Sequence, residues 1–199
     1  WSNRHHPRED QLSDEIRNIY SRSLLIVQSQ IDKRGAIVAA TDSDIVRFGK
    51  DTYSYVWGRD GAFVAAALAK AGFTHASMKY FEFCAGIVSG EGYQFQHYSP
   101  DGSLASNWHP WLVNGKEVLP IQEDSTALTL WALWIHQECS GDVEFVGPLY
   151  HSMIKKMADF LVRYRDSETG LPLPSYDLWE ERYAVHAYTV ASVVAGLRA

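Results

Sequence analysis

The feature that most constrains the fold of this 199-residue chain is a helical spacing of apolar residues that recurs in six segments. In the first segment the residues with this spacing are Leu12, Ile16, Ile19, Leu24, Val27 and Ile31. Apolar positions three or four apart place one stripe on a helix, whereas a half-buried strand requires strict alternation. The pattern therefore predicts an all-α fold.

The six predicted helices have definable limits. Their approximate bounds are 9–33, 60–71, 74–89, 124–139, 147–164 and 187–199. Gly72 is the predicted stop of the second helix, and Thr74 is the predicted N-cap of the third. Cys84 and Cys139 each lie inside an apolar helical pattern, which predicts small core residues and no disulfide scaffold.

The connections between these helices alternate in length. The links after helices two and four are short, and those after helices one, three and five are roughly 20 to 35 residues, a length typical of functional loops. Short links make neighbouring helices antiparallel, so the three long loops should emerge at one end. The six helices would then form three helical hairpins arranged in an arc, with an apolar helix face left uncovered at each end. This predicts that the chain is part of a longer helical domain. The alternative is a self-contained six-helix bundle.

Composition excludes several functions. The net charge is −6 and no basic cluster is present, so nucleic acid is not an expected partner. No apolar run reaches the ~18 residues of a membrane span. The histidines lack metal-ligand spacing, and neither a metal nor a cofactor is expected. The sequence starts at Trp1 without a signal-peptide pattern, and the compartment, cytoplasmic or secreted, stays open.

The most informative polar cluster lies just before the last helix, where Glu180 and Glu181 stand beside Trp179 and Arg182. Glycoside hydrolysis needs a carboxylic acid that can protonate the leaving oxygen. Packing against Trp179 would shield Glu180 from water, and the charge of Glu181 would also favour the protonated form. The alternative is a solvated acidic loop paired with Arg182.

Two further clusters stand where helices two and four begin. Arg59 and Asp60 can bind sugar hydroxyls as donor and acceptor, although Asp60 could equally be an N-cap. Carboxylates such as Asp124 are favoured at any helix N-terminus, whereas Gln122 is harder to explain in this way and could hydrogen-bond a ligand. Aromatic residues make up 13% of the chain, and those near these clusters could stack on a sugar ring or pack in the core.

Taken together, these clusters resemble glycoside hydrolase family 15, which contains glucoamylases, glucodextranases and some microbial trehalases. The resemblance covers the chain from about Gly35 to its end. It rests on residues 35–40, on the aromatic-Trp-x-Arg-Asp motif of residues 53–60, and on the general-acid motif of residues 176–181. The family fold is an (α/α)6 toroid of six inner and six outer helices. Residues 1–199 would then be a partial catalytic domain containing about the first six of these twelve helices.

The resemblance also implies a role for each cluster. Glu180 would be the general acid, and Arg59 and Asp60 would hold the non-reducing-end glucose. The residues that would line this subsite or contact the substrate are Tyr53, Trp57, Gln122, Asp124, Asp177, Trp179 and Glu181.

The implied activity is that of an inverting exo-α-glucosidase similar to glucoamylase, which releases glucose from the non-reducing ends of α-glucans. Trehalase or glucodextranase activity is the alternative within the family, and a non-catalytic sugar-binding toroid is the alternative outside enzymes. The family's general base is a second glutamate far towards the C-terminus, on a loop that residues 1–199 do not reach. Because inversion needs that base to activate water, this chain alone is predicted to show negligible hydrolysis.

Overall fold

A computed structural model describes residues 12–41, 53–105, 109 and 111–199. The α-helices are α1 Asp14–Ser29, α2 Gly58–Lys70, α3 Thr74–Ile87, α4 Glu123–Ser140, α5 Val143–Leu149, α6 Lys155–Arg163 and α7 Ala187–Arg198. A wide π-type turn over Tyr150–Ile154 joins α5 to α6. Each predicted helix has a counterpart, so the all-α prediction is confirmed. The predicted start of the first helix, near Glu9, lies outside the described residues.

Two small hairpins, which the pattern did not predict, lie within the long loops. Strand β1 (Leu112–Val113) pairs with β2 (Lys116–Glu117), and β3 (Ser175–Tyr176) pairs with β4 (Tyr183–Ala184), both antiparallel. Two-residue strands are too short to show the alternation by which a strand is recognised. The second hairpin matters more for the site, because its connecting turn contains Glu180.

The ends of α2 and α3 match the predictions in part. Gly72 follows α2 with a φ of +80°, and the next amide donates to the Leu68 carbonyl oxygen, as expected of a glycine stop. The predicted N-cap at Thr74 is wrong. Thr74 is the first residue of α3, Phe73 occupies the cap position, and no side chain caps this helix end.

Helix α4 is the centre of the core and packs against α2 and α7. Most of its residues are buried, which is typical of a helix that neighbours surround. Helix α7 approaches it closely, because Gly196 lies against the backbone of Ala127 where a side chain would not fit. Cys84 is buried as predicted, but Cys139 is exposed near the end of α4, so its prediction as a core residue is wrong.

Helix α1 contrasts with α4, because none of its residues is buried. Ile16, Ile19, Leu25 and Ile26 each expose more than half of their surface. At the other end of the described fold, Val194 and Leu197 of α7 are also exposed. The predicted apolar faces at both ends of the helical array are therefore present. Within the described residues, no helix has the length and apolar character needed to cross a bilayer.

Candidate active site

The structure brings the three sequence clusters together at one end of the helices. A side-chain hydrogen bond joins every pair of clusters. The three bonds are Trp57 Nε1 to Glu180 Oε1 (2.6 Å), Arg59 Nη1 to Asp124 Oδ2 (3.3 Å) and Gln122 Nε2 to the Asp177 carbonyl oxygen (2.6 Å). Residues more than 50 positions apart therefore form one connected polar site at the starts of α2 and α4.

Glu180 lies in the tight turn between β3 and β4. Its amide donates to the carbonyl oxygen of Asp177 at 2.9 Å, and the Asp177 carboxylate accepts from the amides of Glu181 (2.8 Å) and Arg182 (3.1 Å). Burial alone would raise the pKa of Asp177, but these backbone donors, together with the nearby charges of His186 and Arg182, outweigh it and hold the pKa below its ordinary value. An ionised Asp177 therefore stabilises the turn that presents Glu180.

Trp57 fixes the carboxylate of Glu180. Its indole N–H donates to Glu180 Oε1, while its ring stacks on His97 (centroids 4.9 Å apart) and on Tyr53 (5.8 Å). Trp57 is only 3% exposed, so this donor has a fixed direction. Trp179, which the sequence predicts to shield Glu180, is 76% exposed, and Trp57 is the indole that contacts the carboxylate.

Arg59 bridges two carboxylates. Its guanidinium lies 3.3 Å from Asp60 Oδ2 and 3.3 Å from Asp124 Oδ2. Asp124 is fully buried, and burial raises its pKa although Arg59 acts in the opposite direction. Helix α2 begins at Gly58 with Trp57 at its cap position, which rules out the N-cap role for Asp60. Asp60 is partly exposed, so its carboxylate can also reach a ligand.

Buried contacts at Gly58 fix the start of α2. The Tyr80 hydroxyl donates to the Gly58 carbonyl oxygen at 2.8 Å. A side chain at position 58 would collide with the Gln94 amide and would press on Ser125, so only glycine fits. This close packing fixes the direction in which Arg59, the next residue, leaves the helix.

A second buried carboxyl, Glu123, adjoins this ion pair. It is fully buried, and neither carboxylate oxygen has a hydrogen-bond partner among the residues that the structure describes. Burial, with a smaller contribution from the charge of Asp124, raises the pKa of Glu123 to about 8. Glu123 is therefore protonated in the folded chain at neutral pH, whereas it is ionised in the unfolded chain.

This difference predicts a pH-dependent stability. Between pH 4.5 and about 8 the folded state retains a proton that the unfolded state releases, so Glu123 lowers stability by roughly 1.4 kcal/mol per pH unit. The Glu123→Gln variant should lose this slope and be more stable than the parent at pH 8. Urea denaturation at several pH values from 4.5 to 8 measures how the free energy of unfolding changes with pH. Glu144→Gln, at the exposed first turn of α5, is the control, and parallel slopes for parent and Glu123→Gln would contradict the assignment.

The other predicted site residues differ in how far their side chains are exposed. Tyr53, Trp179 and Glu181 are exposed, whereas the side chains of Gln122 and Asp124 are buried and bonded within the protein. Contact of any of these residues with a substrate stays a prediction. No group of three or more His, Cys, Asp or Glu side chains suited to a metal occurs within the described ranges.

Sequence reasoning missed His109. Its Nε2 lies 2.8 Å from the carbonyl oxygen of Glu180, and its Nδ1 lies 3.0 Å from Gln96 Oε1. The sequence pattern gives His109 no role, because the histidines lack the spacing of metal ligands. No spacing rule links it to Glu180, because the two residues are 71 positions apart. The only available signal was its place in a long loop that also leads to α4.

Comparison with known proteins gives a consistent family match. Residues 15–199 match the family model described as Glycosyl hydrolases family 15. The chain is 34% identical over 194 residues to an uncharacterised glycosyl hydrolase of Methanocaldococcus jannaschii, covering 97% of this chain and 28% of that protein. It is 26% identical to Trehalase 2 of Sulfolobus acidocaldarius, covering 86% of this chain and 32% of that protein. The chain thus spans about a third of the length of these relatives.

Solved structures show the same fold. A glycosidase solved as a complex with glucose superposes with a TM-score of 0.68 at 21% identity, covering 94% of this chain and 53% of that one. A bacterial glucoamylase complexed with acarbose gives a TM-score of 0.68 at 24% identity, covering 95% of this chain and 25% of that one. At these identities the likeness concerns the fold.

Proposed function

Because this chain belongs to glycosyl hydrolases family 15, we propose that it carries the general-acid half of an inverting exo-α-glucosidase site, with Glu180 as the acid. The observation that carries the proposal is the hydrogen bond from Trp57 to the Glu180 carboxylate. It joins the turn between β3 and β4 to the start of α2, where Arg59 and Asp60 closely follow Trp57. A carboxyl group preorganised beside a sugar-binding Arg–Asp pair is what glycosidic proton transfer requires.

These positions support the following reaction. Arg59 donates to outer hydroxyls of the non-reducing-end glucose, and Asp60 accepts from them. Glu180 gives its proton to the glycosidic oxygen as the bond between that oxygen and C1 breaks. Water attacks C1 from the opposite face and loses its proton to a general base, so the configuration at C1 inverts. The products are β-glucose and the shortened glucan or released alcohol.

The general base is proposed to lie outside residues 1–199. The complete enzyme is then this chain joined to the rest of a family 15 catalytic domain. The prediction that the chain alone has negligible turnover follows from the same argument, since an acid without a base cannot activate water.

The substrate class is tested by a panel of maltose, starch, isomaltose and trehalose, with proton NMR of the first product. Rapid release of β-glucose from maltose and starch by the complete enzyme is the expected result. Preference for trehalose would favour the trehalase alternative, which the relative named Trehalase 2 supports. Initial release of α-glucose would contradict the inverting mechanism.

Trp57→Phe tests the indole donor. The substitution keeps an aromatic ring on His97 but removes the N–H that reaches Glu180. A hydrogen bond to a charged group contributes about 1.5–3 kcal/mol, so kcat for maltose should fall by roughly 10- to 100-fold. Steady-state kinetics of the complete enzyme measures the change. Trp131→Phe, which alters an indole that packs on Phe63, is the control and should change kcat less than threefold.

A further inference from the structure

His109 is held on three sides beside the acid. Its ring stacks on Tyr176 with centroids 3.6 Å apart and an interplanar angle of 23°. Nδ1 faces the Gln96 side chain, Nε2 faces the Glu180 carbonyl oxygen, and the residue is 9% exposed. The ring therefore has one well-defined orientation, with Nε2 directed at the backbone of Glu180.

The donor in this contact is determined by chemistry. A carbonyl oxygen can only accept, so His109 Nε2 carries a proton and donates to Glu180. The side-chain amide of Gln96 can pair with Nδ1 through either its oxygen or its NH2 group. Gln96 is itself held in place, because it is buried and its backbone amide donates to the carbonyl oxygen of Pro120. This arrangement orients the imidazole as a donor to the acid's peptide.

The peptide that His109 contacts has an unusual backbone. Glu180 has a φ of +63°, a left-handed conformation that costs a residue with a side chain about 1–2 kcal/mol. Such a conformation persists where the surroundings determine it at several points. In this turn the amide of Glu180 donates to Asp177 and its carbonyl oxygen accepts from His109, so both flanking peptides are fixed. The backbone conformation in turn directs the carboxylate toward Trp57.

We propose that His109 is a positioning residue for the general acid. It does not touch the substrate; its Nε2–H holds the Glu180 peptide in the left-handed conformation from which the carboxylate faces the glycosidic oxygen. Nothing in the sequence motifs assigns this role to His109. The inference rests on the proposed function of Glu180.

The test compares two substrates in the complete enzyme. Maltose needs proton donation to its leaving oxygen, whereas fluoride leaves α-glucosyl fluoride with little help from an acid. His109→Phe keeps an aromatic ring on Tyr176 but removes the donor. We expect kcat for maltose to fall 10- to 100-fold, with KM within threefold, while turnover of α-glucosyl fluoride stays within threefold of the parent. His109→Gln, which retains an N–H donor, should recover part of the loss.

One control and one replacement variant complete the comparison. His151→Phe changes an exposed histidine of the π-type turn, which contacts Tyr150 and belongs to none of the three clusters, and should change maltose turnover less than threefold. If His109→Phe does not fold, as judged by circular dichroism, His109→Asn replaces it. The Asn amide is too short to reach the Glu180 carbonyl oxygen, and the same split between substrates is expected.

The outcomes separate this inference from the proposed function. Unchanged maltose turnover in the His109 variants, or an equal loss with both substrates, would overturn the positioning role, since a general disruption of the site would affect the two alike. Full maltose activity in Glu180→Gln would instead overturn the proposed function itself.

Discussion

Glu180→Gln in the complete enzyme is expected to lower kcat for maltose by about 10³-fold, with KM changed by less than tenfold. The amide retains the size of the carboxyl group and its contact with Trp57 but cannot release a proton to the leaving oxygen. General acid catalysis contributes about 10²- to 10⁴-fold to such reactions, so the loss should fall in this range. Steady-state kinetics with maltose measures it.

The controls for this variant use a second carboxylate and a second substrate. Glu181→Gln alters the adjacent exposed glutamate and should cost no more than about tenfold, because the Trp57 indole donates to the carboxylate of Glu180. Hydrolysis of α-glucosyl fluoride should survive in Glu180→Gln. If the parent and the variant both bind maltose but neither hydrolyses it, the sugar-binding toroid becomes the better description of the molecule.

Arg59→Met is expected to be the most destabilising substitution at the site. It leaves the fully buried Asp124 carboxylate without its cation, and removing one partner of a buried ion pair costs about 3–5 kcal/mol. Because burial already raises the pKa of Asp124, the variant should take up a proton there. The loss of stability should therefore be small near pH 4 and grow as the pH rises. Urea denaturation at pH 4 and pH 8 gives both values.

Two further variants show whether the uncompensated charge of Asp124 causes the loss of stability in Arg59→Met. Arg59→Met combined with Asp124→Asn should recover part of the stability at pH 8, because the uncompensated carboxylate is gone. Arg34→Met removes an arginine from the exposed pair with Asp32 and should cost less than about 1 kcal/mol. If Arg59→Met were no more destabilising than Arg34→Met, the buried ion pair would not support the site as described.

The fold was largely predictable because helices carry a periodic signal over many residues. The bounds of α2, α4 and α7 agree with the predicted segments to within two residues, and the long loops lie where the spacing lapses. The hairpins around Asn114 and Glu180 were missed, since two-residue strands have no period to detect. The exposure of Cys139 was missed because helical spacing near a helix end does not show which side a neighbour covers.

The site was predictable as a set of motifs but not as a set of contacts. Motifs place Glu180 and Arg59, yet which indole meets the carboxylate depends on how distant loops pack. Trp179 is adjacent to Glu180 in sequence and points largely to solvent, while Trp57, 123 positions away, makes the bond. For the same reason no spacing rule linked His109 to Glu180. Contacts of this kind are set by tertiary packing, which residue spacing does not encode.

A crystal structure of the complete enzyme as the Glu180→Gln variant, with intact maltose bound, tests the central claim most directly. We expect the side chain at position 180 to lie within about 3 Å of the glycosidic oxygen, with Arg59 and Asp60 bound to hydroxyls of the non-reducing-end glucose. Maltose bound with its glycosidic oxygen remote from position 180, or held away from Arg59 and Asp60, would contradict it.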